Sequence, residues 1–200
     1  MAFFKRVSAL MLAISALLMC SSAFAMPENT PEAETEPPLS GLVIGIDPGH
    51  QLHADTDTEP VYPNNPNALK PRMSQGATGV RTGTAEHEIN LIVAKKLSFM
   101  LSDAGASVVL TRTKNNVSLS NIERAQMMNE AEVDFWVRIH CNSSHSQDTR
   151  GALVIAPYSA LETADSSAKL AHSVLQCFCE KTGANDKGIC YSSHQTGFNW

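Results

Sequence analysis

From residue 41 onward the chain alternates short apolar runs with amphipathic segments, and this alternation restricts the fold more than any other feature. Leu42 to Ile46 is apolar enough for a buried strand, and SVVLT (107–111), VDFWVRIH (133–140) and ALVIA (152–156) repeat that character. Between them, TAEHEINLIVAKKLSFMLSDAGA carries Ile89, Val93, Leu97 and Leu101 at helical spacing, with Gly105 as its stop. SLSNIERAQMMNEA, from Ser118, reads as an acid-rich helix start with Ala125 and Met128 inward. A further helix is expected from Ala160 to about Thr182, closed by Gly183. Strands that alternate with helices predict an α/β fold, with a mostly parallel central sheet flanked by helices on both faces. Residues 51 to 82, rich in Pro, Asn, Asp, Thr and Gly, read as a long surface loop.

The stretch before residue 41 is of another kind. Residues 1 to 25 combine Lys5 and Arg6, an apolar run and Ala23-Phe24-Ala25, the pattern of a signal peptide, so export to the cell envelope or beyond is expected. The apolar run is short for a membrane span, which argues against stable membrane insertion after cleavage. Residues 26 to 40, MPENTPEAETEPPLS, read as a disordered spacer. Without Lys5 and Arg6 the 15 basic residues become 13 against 20 acids, a charge of −7, and no basic patch invites nucleic acid. Cys141, Cys177, Cys179 and Cys190 remain, as free thiols or with one disulfide. Cys177 and Cys179, two apart on a helix, face different sides and suit no shared metal.

In open α/β sheets, functional groups gather at the carboxyl ends of the strands. His50 follows the first strand in GLVIGIDPGH, with Pro48-Gly49 as the turn, and His140 ends VDFWVRIH. Glu86 opens the long helix at the same rim. Two imidazoles and a carboxylate form a ligand set for catalytic zinc, with one position left for water. Glu88 competes for the third place, but residues two apart on a helix point roughly 200° apart, so one ion cannot take both. The helix dipole modestly favours Glu86. The HExxH motif is absent because Leu91 stands where its second His belongs, and neither GxSxG nor a phosphate loop occurs. Cys141, next to His140 on a strand, is expected to turn away from the site. His53, His145, His172 and His194 have no placed partner and read as ordinary surface histidines.

Taken together, IDPGH (46–50), GTAEHEINLIVAKKL (83–97), VVLTRT (108–113), SLSNIERAQMMNEAEVDFWVRIHCN (118–142) and RGALV (150–154) resemble, in order and spacing, the zinc-dependent N-acetylmuramoyl-L-alanine amidases of the amidase 3 type. The resemblance runs from about residue 41 to residue 200, making 41–200 a catalytic domain. It implies hydrolysis of the amide between N-acetylmuramic acid and the L-alanine of the peptidoglycan stem, in cell-wall turnover, with zinc on His50, Glu86 and His140. It thereby selects Glu86 over Glu88. The family pattern also has a general-base glutamate in a V-E-x-G-F motif on a later strand, and that motif does not occur here. Thr196 to Trp200 resemble the segment just upstream of it. The expectation is therefore an incomplete domain, its last strand and helix missing, with the general base expected beyond Trp200 and little activity in the chain as written. The alternative is an inactive fragment or a non-catalytic wall-binding or regulatory protein. A zinc peptidase cutting stem peptides would share the metal chemistry.

Overall fold

A computed structural model describes residues 36–146, 148–158 and 161–192. The chain divides into units Met1–Glu36 and Pro37–Trp200. The expected signal peptide, residues 26–35 of the spacer, His194 and the Thr196–Trp200 segment lie outside the described residues.

Three parallel strands form the heart of the fold: β1 (Val43–Pro48) lies between β4 (Ser107–Leu110) and β5 (Phe135–Ile139). The central strand is the most buried, and Ile44 and Ile46 are fully enclosed. Pleating sends alternate residues to opposite faces. Helix α1 (Glu86–Asp103) covers one face, and α2 (Asn121–Glu130) reaches the face that carries Gly45 and Asp47. Gly45 has no room for a side chain, because an added Cβ would lie 2.5 Å from Met128 Sδ and 2.6 Å from Trp136 Cβ. Ala125 and Met128 are buried, as their spacing predicts. A capping box fixes the start of α2: Ser120 Oγ accepts from Glu123 N (3.1 Å) while Glu123 Oε2 accepts from Ser120 N (2.7 Å). Strands β6 (Ala152–Pro157) and β7 (Asp186–Ser192) pair in parallel as a second sheet, backed by α3 (Ala164–Thr182). Gly183 ends α3 in a left-handed conformation, φ 70°, its N–H bonded to Cys179 O. The fold is thus α/β with parallel strands as expected, although they fall into two sheets among the described residues.

Two expectations need correction. Residues 51–82 are not an irregular loop: β2 (Asp55–Tyr62) and β3 (Asn65–Met73) form an antiparallel hairpin turning at Pro63-Asn64. Pro60, Pro66 and Pro71 are tolerated because each strand of a two-stranded ribbon is an edge. Two register shifts break the alternation that would have marked the strands. The other correction concerns α1. Ile89 and Val93 are 37% and 43% exposed, while Glu86, Asn90, Leu91 and Ala94 face inward. Apolar residues occur all round this helix, so their period cannot choose a face. The polar contacts of Glu86, His87 and Asn90 at the sheet rim do.

Candidate metal centre

The site begins where β1 stops. Gly49 N–H still bonds to Ile139 O (2.9 Å), and then His50 adopts φ 60°, a left-handed conformation unusual for a residue with a side chain. Such a conformation costs on the order of 1–3 kcal/mol and persists where the surroundings over-determine it. Here side chains cap three successive carbonyls. Pro48 O accepts from Arg112 Nε and Arg124 Nη1, Gly49 O from Asn90 Nδ2 and Arg112 Nη2, and His50 O from Arg124 Nη2, at 2.9–3.1 Å. The sequence places the turn at Pro48-Gly49; in the structure His50 itself takes the strained conformation. Gly49 is needed for a different reason, since an added Cβ would lie 2.4–2.7 Å from three ring atoms of His140. Gly49→Ala must therefore displace that imidazole. Zinc affinity is expected to fall roughly 10–100-fold, the range for disturbed ligand support, measurable by competition with a chromogenic chelator. Unchanged affinity would show that His140 is not held by this contact.

His140, just past β5, and Glu86, the first residue of α1, complete the group. Glu86 Oε1 lies 3.3 Å from His50 Nε2 and 3.0 Å from His140 Nδ1, and one donor atom from each residue falls within 4.8 Å of the others. The imidazole rings meet edge to face, centroids 4.6 Å apart. Glu86 is 4% exposed, His50 11% and His140 42%, so the group opens to solvent on the His140 side. Glu88 points elsewhere, accepting from Ala85 N at the helix start (3.4 Å).

The donor chemistry fits a cation. His50 Nδ1 lies 2.9 Å from Ser74 O, a carbonyl that can only accept, so Nδ1 carries a proton. In the neutral ring Nε2 then presents a lone pair to Glu86 Oε1, and two acceptors face each other unless a cation stands between them. Burial by itself would raise the Glu86 carboxyl. Hydrogen bonds from Ala77 N–H, His140 and Cys141 N–H outweigh it and hold the group below its ordinary range. Burial pulls the His140 imidazole down and the hydrogen bond to Glu86 raises it; burial prevails and favours the neutral ring. An ionised carboxylate and neutral imidazoles are what a zinc ion requires.

Beside this group lies a cavity of about 190 Å³, lined by β1, β3, α2 and β5. The carboxylate in its wall is Asp47, fully buried and engaged by Thr111 Oγ1, Arg124 Nη1 and Arg138 Nε. Burial would raise Asp47, but the two guanidinium groups and Thr111 hold it far below the usual carboxylate range. Cys141 Sγ turns to Asn90 Oδ1 (3.6 Å), and burial, then Glu86, push its thiol up, away from the nucleophilic thiolate. Cys141, Cys177, Cys179 and Cys190 are all free thiols. His53, His145 and His172 are exposed and stand apart from the metal-ligating group. Sequence reasoning missed the supporting residues Asn90, Arg112, Arg124 and Ser74, and Lys70 of the cavity wall. Asn90 carries a signal, four residues after Glu86 on the same helix face; Lys70 and Ser74, on and just beyond an unrecognised hairpin, carry none.

A family model described as N-acetylmuramoyl-L-alanine amidase matches residues 44–199. The amidase LytC of Bacillus subtilis (strain 168) is 29% identical over 174 residues, which cover 84% of this chain and 30% of that protein. A putative N-acetylmuramoyl-L-alanine amidase of Buchnera aphidicola is 38% identical over 80 residues, 40% of this chain and 33% of that one. The chain thus spans about a third of the length of these curated relatives. Among solved structures, the amidase Ami1 of Mycobacterium smegmatis superposes with a TM-score of 0.70 at 21% identity, covering 80% of this chain and 77% of that one. The catalytic domain of CwlV, an amidase of Bacillus (Paenibacillus) polymyxa, gives 0.59 at 26% identity over 78% and 73%. With the family model matched from β1 to beyond β7, this chain belongs to the amidase 3 family of N-acetylmuramoyl-L-alanine amidases.

Proposed function

We propose that this protein is a zinc-dependent peptidoglycan amidase, exported on the leader at residues 1–25, that hydrolyses the bond between N-acetylmuramic acid and L-alanine. The observation that carries the reading is the convergence of His50, Glu86 and His140 on one point of the sheet rim, within a chain of this family. Among the described residues no helix is long and apolar enough to cross a membrane.

The three side chains would hold the ion, which when bound polarises the amide carbonyl and acidifies a water. The protein's own part is positioning. Ser74 O orients His50, the Ala77 and Cys141 amides orient Glu86, and the capped carbonyls of residues 48–50 keep β1's end from relaxing. The partly exposed His140 leaves the substrate's approach open on that side. Asp47, the carboxylate that lines the cavity, is consumed by Arg124 and Arg138 and is no proton acceptor. A positioned general base contributes roughly 10²–10⁴-fold in such hydrolysis, and Asp47, held by its guanidinium partners, does not supply one.

The test is the chemistry of the product. Incubated with purified peptidoglycan, the protein should release new alanine amino termini, a release abolished by EDTA and restored by zinc. Release that persists in EDTA, or a new amine other than that of alanine, contradicts the reading. The engagement of Asp47 also favours a second reading, a wall-binding protein that keeps the metal cradle. It predicts zinc-dependent sedimentation with peptidoglycan and no new amino termini.

A further inference from the structure

The hairpin brings a charge to the cavity that the metal chemistry does not use. Lys70, on β3, lines the cavity together with Arg138 of β5 and Arg124 of α2. The wall therefore carries three cationic side chains against one carboxylate, Asp47, in a protein of net charge −5. Arg138 is fixed in place: its Nε donates to Asp47, its Nη1 to Asn121 Oδ1 (3.1 Å), and its guanidinium carbon stands 5.4 Å from the centre of the Trp136 ring. Its Nη2 is buried without a hydrogen-bond partner among the described residues. Glu59, opposite Lys70 in the hairpin register, accepts from Ile122 N through Oε2 (3.2 Å) and leaves Oε1 without a hydrogen-bond partner among the described residues, but it does not line the cavity. Burial and Arg138 together lower Lys70 to about 8, against the pull of Glu59, so it remains a cation at neutral pH. An excess of desolvated positive charge in a concave wall focuses its field on an incoming anion.

We infer that Lys70 and Arg138 form a subsite for a carboxylate of the stem peptide, on the hairpin side of the metal centre. The inference rests on the amidase reading, because that reading supplies the anion. In a muramoyl peptide whose lactyl group is bound as an amide, the negative charge sits on the peptide rather than on the glycan. The subsite thereby assigns a direction: the peptide lies toward β3, and the glycan leaves by the open side at His140.

Titration calorimetry on the zinc-loaded protein tests this without turnover. The ligands are a soluble muramoyl peptide with free stem carboxylates and the same compound with those carboxylates converted to amides. The free form should bind about tenfold tighter, as one charge-assisted hydrogen bond implies, and Lys70→Gln should bring the ratio close to one while leaving affinity for the amidated form unchanged. Equal binding of both forms by the unaltered protein, or an unchanged ratio in Lys70→Gln, overturns the subsite and leaves the amidase reading standing. Failure of both forms to bind overturns the subsite and the amidase reading together.

Discussion

Glu86→Gln is expected to abolish stoichiometric zinc binding, whereas Glu88→Gln, two residues away, is expected to retain one zinc per chain. The two acids open the same helix turn, yet the backbone aims them differently. Glu86 Oε1 sits between the two imidazoles at 3.0 and 3.3 Å, while Glu88 reaches back to the Ala85 amide. Glutamine keeps the size and a hydrogen-bonding oxygen but removes the charge that makes this oxygen a strong ligand. It also places an NH₂ group where Oε1 or Oε2 accepts from the Cys141 or Ala77 amide, setting donor against donor. Glu88→Gln forfeits at most a weak cap bond, and its effect on stability should stay within the few tenths of a kcal/mol of an exposed helix-end charge. Metal analysis after gel filtration reads the difference directly. Equal zinc in both variants would remove Glu86 from the centre.

The largest loss of stability is expected from Asp47→Asn. Asp47 and Arg124 are fully buried, and their pairing, with Arg138 and Thr111, is the charged interior of the fold. Removing one partner of a buried pair typically costs about 3–5 kcal/mol, because the other charge stays desolvated. That is a large part of the roughly 5–15 kcal/mol that holds a domain together. Here two guanidinium groups would be stranded, and the carbonyls of Pro48 and His50 that Arg124 caps would lose their register. Urea unfolding should show the loss as a lower midpoint. Arg72→Ala, which breaks ion pairs of 3.3 and 3.4 Å at a side chain 33% exposed, should cost less than about 1 kcal/mol. The same network sets an acid limb. Since Asp47 is held far below its ordinary value in the folded protein, its contribution is complete above the unfolded value of about 3.9 and is lost as pH falls below it. Asp47→Asn should flatten that limb. A midpoint equal to that of the unaltered protein would refute the role given to this network.

Much of this arrangement is legible in the sequence because it depends on period and position. Alternating strands and helices specify an α/β sheet, and strand ends at His50 and His140 with a helix start at Glu86 share one rim by topology alone. What the sequence conceals depends on tertiary contacts. The hairpin escapes notice because it docks through few buried side chains, among them Glu59, Val61 and Met73, and register shifts erase its alternation. The inward face of α1 is chosen by Glu86 and Asn90 against a helix apolar on every side, so Ile89 and Val93 misdirect a reading from hydrophobicity. The strain at His50 is invisible for a third reason: the residues that enforce it, Asn90, Arg112 and Arg124, come 40 or more residues later.

The central claim is that one zinc ion sits on His50, Glu86 and His140, and X-ray absorption of the zinc-loaded protein tests it most directly. The account predicts one zinc per chain with a first shell of nitrogen and oxygen at about 2.0–2.2 Å and no sulfur. A sulfur shell at about 2.3 Å would move the metal to the free cysteines, and absence of bound zinc would leave the cluster without its ion; either result contradicts the account.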